Sequence, residues 1–157
     1  MTVIALFPGS FDPFTKGHEY IVDSALEMFD RVVIAVGSNI SKNGLLSVEN
    51  RIRLIEEIYK TNSRVKVASY STLTGEFAIN CEASVIVRGL RNEADYTFEH
   101  NIEAVNRILF PSIKTIFLST PPELVHISSS VIKELHSFGH DVSEFLPNGI
   151  DINKYLL

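Results

Sequence analysis

The chain holds a single cysteine, Cys81, and no tryptophan. One thiol can neither close an internal disulfide nor supply a metal cluster, so a reducing compartment, the cytoplasm, is the expected location. Positive charge is also scarce: 14 Lys and Arg stand against 19 Asp and Glu, a formal net charge of −5. The broad basic surface that non-specific nucleic-acid or anionic-membrane binding requires is absent, so neither partner is expected and any anionic ligand must be held locally. No apolar run approaches the ~20 residues of a membrane span. The opening stretch MTVIALFPGSF carries no basic segment and reads as a buried strand rather than a signal peptide. His100, His126, His136 and His140 lack the spacing with carboxylates or Cys81 of a zinc site, so no side-chain metal ligand is assigned.

What remains is 157 residues, 45% hydrophobic and 21% charged, enough apolar material for one core and the size of one domain spanning 1–157. Short β-branched apolar runs alternate with amphipathic stretches. Val3 to Phe7, Arg31 to Gly37, Val65 to Ser69, Ser84 to Arg88 and Lys114 to Ser119 are the strand candidates. Between them, Ile21, Ala25, Met28 and Phe29 share a helical face, as do Val48, Ile52, Ile55 and Tyr59, and again Phe98, Ile102, Val105 and Leu109; each face is expected to pack on the sheet. A shorter helix should start within Ser128-Ser129-Ser130, whose hydroxyls suit capping. The fold class is therefore α/β, a single-domain, doubly wound, five-stranded parallel sheet, and ligands should sit at the carboxyl edge of its strands.

Four segments fall at those strand ends. Pro8-Gly9-Ser10-Phe11-Asp12-Pro13-Phe14-Thr15-Lys16-Gly17-His18 joins the first strand to the first helix, with Gly9 for close backbone approach and Ser10 for a hydroxyl and an amide. Gly17-His18 lies at the helix start, where unpaired amides favour phosphate, and the positive helix end should lower the pKa of His18 and keep it a neutral donor. Arg88-Gly89-Leu90-Arg91 sends two guanidinium groups off the fourth strand; Ile127-Ser128-Ser129-Ser130 follows the fifth; Lys42 adds a charge in the loop after the second. Each also has a plainer reading. Thr15-Lys16-Gly17-His18 could be a helix cap, Arg88 and Arg91 could pair with Glu93, Asp95 or Glu99, and Lys42 could be a solvated loop lysine. Asp12 could fix its own turn or join a magnesium shell. The coincidence of four phosphate-suited elements at one sheet edge favours a site.

At these residues the sequence resembles bacterial phosphopantetheine adenylyltransferases, in the nucleotidyltransferase superfamily with the (T/H)xGH motif. The likeness runs through Pro8 to Pro13, Thr15 to His18, Ser41-Lys42, Glu49-x-Arg51, Val87 to Arg91, Asp95, Glu99, Asn106-Arg107, Ile127 to Ser130 and Phe145-Leu146-Pro147. It implies a Rossmann-like nucleotidyltransferase fold and transfer of an adenylyl group from ATP to 4'-phosphopantetheine, giving 3'-dephospho-coenzyme A and pyrophosphate. It also implies Mg2+ with the ATP, a homohexamer built as a dimer of trimers, and coenzyme A as a candidate feedback ligand. The matching positions are Ser10, Lys42, Thr74 and Arg88 for phosphopantetheine. For ATP they are Ser10, Phe11, His18, Gly89, Leu90, Arg91, Glu99, Leu124, Val125, His126, Ile127, Ser128, Ser129 and Ser130. His18 is expected to stabilise the transition state, with Lys42 and Arg91 beside it as catalytic cations. Three positions depart from the common pattern: Ser10 for Thr, Thr74 for Leu or Met, and Asn50 for Glu. Two rivals stay open: a relative acting on nicotinate mononucleotide or glycerol 3-phosphate, against which Ile127-Ser128-Ser129-Ser130-Val131-Ile132-Lys133 weighs, and a nucleotide-sensing module without turnover.

Overall fold

A computed structural model describes residues 1–38 and 44–157. Five strands, β1 (Ile4–Gly9), β2 (Arg31–Gly37), β3 (Val65–Tyr70), β4 (Val85–Leu90) and β5 (Lys114–Ser119), form one parallel sheet in the order β3-β2-β1-β4-β5. The helices are α1 (Lys16–Met28), α2 (Val48–Tyr59), α3 (Thr74–Asn80), α4 (Glu93–Leu109) and α5 (Ser129–Ser137), and short 3-10 turns at Ser143–Phe145 and Ile152–Lys154 follow. β-Branched residues fill the strand centres, Val32 to Val36 above all, because a parallel strand buried on both faces needs apolar side chains on both. The larger core joins Phe7, Val32, Ile34, Val36 and Val87 to Ile21, Val22 and Ala25 of α1, Leu54 and Ile55 of α2 and Ile132 of α5. On the opposite face, Leu6, Val33, Ala35 and Ile86 pack with Ala78 of α3 and Ile113. The doubly wound architecture expected from the alternating pattern is thus present.

Three features of the sheet place the site. β1 pairs with β2 along its whole length, Ile4↔Arg31 to Gly9↔Val36, but with β4 only at Ala5↔Val85 and Leu6↔Ile86. Beyond Leu6 the two strands part, and the crevice between them opens at the carboxyl edge where the winding changes direction. The strands also run further than expected. β1 continues through Pro8 and Gly9, and β4 through Gly89 and Leu90. A proline in a central strand is normally excluded by its missing N–H. Pro8 is tolerated because its polar edge faces β4 where the ladder has already ended, and its carbonyl there accepts a hydrogen bond from Arg88 Nη1 (2.6 Å).

Met28, expected on the packed face of α1, is exposed at its last turn, and one helix departs from expectation along its whole apolar face. Phe98, Ile102, Val105 and Leu109 of α4 do not pack on the sheet; they are 64%, 40%, 54% and 54% exposed, and α4 buries Glu99 and Glu103 instead. Apolar periodicity marks a face that avoids water without saying whether the cover comes from the same chain. Facing the sheet, the helix must answer the charge of Arg88 at the end of β4, and a carboxylate does so where a Phe could not.

Candidate active site

Two adjoining cavities follow the crevice, of about 400 Å³ toward α3 and about 300 Å³ toward α1 and α5. Pro8, Gly9, Ser10, Arg88 and Glu99 border both. The α3 side adds Gly37, Tyr70, Leu73, Thr74, Ile102 and Asn106; the α1 side adds Phe7, Phe11, His18, Gly89, Arg91 and Ser128 to Ser130. Of the residues expected at the site, Ser10, Phe11, His18, Thr74, Arg88, Gly89, Arg91, Glu99, Ile127, Ser128, Ser129 and Ser130 therefore converge on one composite cavity. Leu90, Leu124, Val125 and His126 do not line it. Leu124 packs against the larger core, and the His126 ring lies edge-on to Phe145. Lys42 lies outside the described residues.

The wall next to β1 is built on an unusual backbone. Phe11 is buried at φ 50, a left-handed conformation that costs a side-chain-bearing residue energy, and its ring covers Gly9. A Cβ on Gly9 would stand 2.8 Å from Phe11 Cζ, so glycine is needed here for the aromatic lid as much as for any ligand. Gly89 is explained similarly: a Cβ there would meet Ile21 Cγ1 at 2.9 Å, so its absence lets α1 close against β4.

His18 is fixed by a reciprocal cap. Its N–H donates to Thr15 Oγ1 (3.2 Å), while the Thr15 N–H donates to its Nδ1 (3.0 Å). Nδ1 is thereby an acceptor, and the ring proton belongs to Nε2. Phe7, Phe11 and Phe14 surround the ring, with centroids 6.2, 5.0 and 5.3 Å away. Burial, with Arg91 and Arg88 adding to it, lowers its pKa from 6.5 to about 3. The expected neutral donor is present, but desolvation and two guanidinium groups account for it.

Arg88 forms a fork with Glu99, Nε to Oε2 at 2.7 Å and Nη2 to Oε1 at 2.5 Å, in addition to its bond to Pro8. Among the described residues three of its five guanidinium N–H groups are thus used, leaving two for a ligand. Arg91 is exposed and paired with Asp95, Nε to Oδ2 at 3.0 Å. Burial acts to raise the Asp95 pKa, but its bonds from Arg91 outweigh this and hold it below the usual range. The ion pairs expected on the plainer reading are real, and they hold the arginines at the cavity edge. On α5, Ser128 Oγ caps the helix by accepting from the Val131 N–H (3.2 Å), and Ser129 Oγ donates to the Pro13 carbonyl (2.8 Å). The Ser129 proton is thereby committed; the Ser128 O–H, the helix-start amides and exposed Ser130 remain to donate to an anion.

Sequence reasoning did not single out Tyr70 for the site. Its hydroxyl lies 3.1 Å from Thr74 Oγ1 in the α3-side cavity. Its position as the last residue of β3 was the available signal, since the carboxyl edge is where such a sheet builds sites. Ile102 and Asn106 of α4 also line that cavity. Asp12 accepts from the Leu45 and Leu46 N–H groups (3.0 and 2.8 Å) and faces Arg51, so it holds a distant turn of the chain rather than its own, as one of its two readings had it. Asn50, which replaces a commoner Glu, donates to the Tyr155 carbonyl (2.9 Å) and ties the C-terminal segment to α2, away from the cavity.

A family model for cytidylyltransferase-like proteins matches residues 6–135. Among curated proteins, the phosphopantetheine adenylyltransferase of Cytophaga hutchinsonii is 45% identical over 147 residues, covering 94% of this chain and 98% of the relative. That of Phocaeicola vulgatus is 46% identical over 149 residues, with 95% and 98% covered. A putative nicotinate-nucleotide adenylyltransferase from Vibrio parahaemolyticus has a similar solved structure, TM-score 0.67 at 22% identity, covering 93% of this chain and 87% of that one. A bifunctional NMN adenylyltransferase/ADP ribose pyrophosphatase from Francisella tularensis, complexed with AMP and a Mn ion, aligns at TM-score 0.69 and 18% identity, over 98% of this chain and 46% of its own. At these identities the two structures bear on the fold alone.

Proposed function

The chain belongs to the phosphopantetheine adenylyltransferases, within the cytidylyltransferase-like nucleotidyltransferases, and from that premise we propose that it moves the adenylyl group of ATP onto 4'-phosphopantetheine, releasing pyrophosphate and 3'-dephospho-coenzyme A. The observation that carries this reading is the composite cavity: a neutral imidazole donor, two arginines and a serine-rich helix start border one half, and a second half with a mostly apolar lining adjoins it. The first half suits a triphosphate and the second a pantetheine arm, with Ser10 and Arg88 at the junction where the acceptor phosphate and the α-phosphate of ATP would meet.

The acceptor is already a phosphate dianion, so the reaction needs in-line placement and charge neutralisation rather than a strong base or a covalent intermediate. Ser10, the two free N–H groups of Arg88, and Lys42 hold the acceptor phosphate. The Nε2–H of His18 and the α1 amides donate to the α-phosphate oxygens as charge develops there. Arg91, Ser130 and the α5 amides receive the departing pyrophosphate. A divalent cation, proposed to be Mg2+, would arrive with the ATP phosphates and would supply neutralisation of part of their charge. The donors fit that arrangement better than a protein-built cage: both Asp12 oxygens are occupied, and among the described residues no three His, Cys, Asp or Glu side chains gather to hold a metal.

The exposed apolar face of α4 supports self-association, read here as a homohexamer formed as a dimer of trimers. No helix among the described residues is long and apolar enough to cross a membrane, which is compatible with the proposed cytoplasmic location. The chain would act as one catalytic domain, and coenzyme A, the product plus one phosphate, as a feedback ligand of the same cavity. The test is pyrophosphate release from Mg-ATP with 4'-phosphopantetheine, nicotinate mononucleotide, glycerol 3-phosphate or no acceptor. Release with 4'-phosphopantetheine alone is expected, and His18→Ala should lose on the order of 10²–10³ in kcat while remaining folded. Release with a different acceptor would replace the substrate, and nucleotide binding without any release would favour a sensor.

A further inference from the structure

The largest fully buried side chain described in the molecule is charged: Arg51, 2% exposed, on α2. It does not line either cavity. Its Nε donates to the Leu46 carbonyl (3.0 Å), its Nη1 to the Ser10 carbonyl (3.3 Å), and its Nη2 pairs with Asp12 Oδ2 (3.3 Å). Asp12, 3% exposed, in turn accepts the Leu45 and Leu46 N–H groups and receives Lys133 Nζ from α5 at 3.6 Å. The guanidinium also lies across Gly44, where an added Cβ would overlap Nη2 and stand 3.2 Å from Asp12 Oδ2.

The loop after β1 is therefore pinned at three nearby points from three directions: Ser10 by α2, Asp12 by the turn at Leu45-Leu46, and Pro13 by Ser129 of α5. A buried ion pair is weak support for stability, because desolving two charges offsets most of their attraction. It is strong support for a fixed geometry, since each partner has one place where all its bonds are met. Ser10 is one of the five residues shared by both cavities, it is exposed, and it is aimed by the backbone that Arg51 grips. An in-line displacement is sensitive to such aim: ~1 Å of misplacement can cost about 10²-fold in rate.

We propose that Asp12 and Arg51 are positioning residues for adenylyl transfer, acting through the Ser10 backbone to hold the junction of the two cavities in register with α2 and α5. The proposal rests on the reading of the site as an adenylyltransferase. Its signature is a loss in kcat that exceeds any loss in folding, because ATP still meets His18, Arg91 and the α5 amides when Ser10 drifts.

The experiment uses the full-length chain with Arg51→Lys, which keeps the charge and loses the fork, Asp12→Asn, which keeps an acceptor and loses the charge, and Gly44→Ala, which displaces the guanidinium from outside without removing either partner. Steady-state turnover is measured at least 15 °C below each thermal midpoint and expressed per folded molecule, with whichever acceptor in the panel above the wild type uses. The expected result is a fall of about tenfold or more in kcat with KM for ATP changed less than about threefold, shared by every variant that folds; Gly44→Ala keeps the test decisive if the buried substitutions do not fold. Lowered midpoints with wild-type kcat per folded molecule would overturn the proposal and leave the pair purely structural. A rise in ATP KM at constant kcat would overturn it too. A wild type that uses another acceptor would overturn the substrate reading while leaving the positioning role to be decided by the same variants, and a wild type that transfers to none would overturn both.

Discussion

His18 illustrates how much of a residue's chemistry is written by its neighbours. Its Nδ1 is occupied by the Thr15 N–H, its ring is enclosed by three phenylalanines, and its pKa falls to about 3, so in the free enzyme near neutrality it is an Nε2–H donor. Two consequences follow for pH. The kcat/KM profile, which reports the free enzyme, should show no acid limb belonging to His18 between pH 5 and 8, which initial rates at low substrate across that range will check. Folding should respond: the unfolded chain takes up the proton near 6.5 and the folded chain only near 3, so this contribution to stability is full above 6.5 and is lost as pH falls through the interval. Urea unfolding at pH 7 and pH 5 should therefore show a smaller loss of stability in His18→Gln than in the wild type. The Tyr70–Thr74 hydroxyl pair leads to a different prediction. With two hydroxyls facing the α3-side cavity where relatives of the resembled family carry Leu or Met, the pair can bond an amide of the acceptor arm. Thr74→Val and Tyr70→Phe should each raise KM for 4'-phosphopantetheine several-fold, consistent with the loss of a hydrogen bond of ~1 kcal/mol, with kcat nearly unchanged. Equal KM in wild type and both variants would remove the pair from acceptor recognition.

At the scale of elements, caps and periodicity did most of what sequence reasoning can do. Ser128 was legible as the cap of α5 because a Ser run before Val131, Ile132 and Leu135 is a helix start by side-chain chemistry alone. Ser128→Ala should cost about 1 kcal/mol, read from the shift of the urea midpoint, without moving Ile132 from the core. The strand centres were legible from β-branched runs, whereas the strand ends were not. The first and fourth strands were expected to end at Phe7 and Arg88, and only the parting of β1 from β4 explains why a proline is harmless beyond Phe7. The inner face of α4 was illegible for a related reason. Glu99 and Glu103 have the pattern of solvent-facing residues until the guanidinium of Arg88 is brought beneath Glu99. Asp12 and Arg51 are separated by most of two elements in the chain, and nothing local signals that they meet.

For the whole molecule, the exposed stripe of Phe98, Ile102, Val105 and Leu109, which Ile108 extends, is the largest discrepancy between the expected and the observed core. If, as proposed, further copies of the chain cover it, Phe98→Glu should shift the mass measured by light scattering toward the monomer with the far-ultraviolet circular dichroism unchanged. Because Ile102 also lines the α3-side cavity, the same variant should weaken acceptor binding if assembly completes that wall. By itself the amino-acid order determined the alternation of strands and helices, the caps, and the gathering of basic and hydroxyl residues at strand ends, because each of these depends on neighbours within a few positions along the chain. The tertiary structure alone decided that β1 and β4 separate, that α4 turns carboxylates inward, that Ser129 is committed to Pro13, and that Arg51 holds Ser10. These contacts join residues many positions apart. Their free energy depends on which charges and carbonyls are desolvated together, a quantity that exists only once the chain has closed on itself.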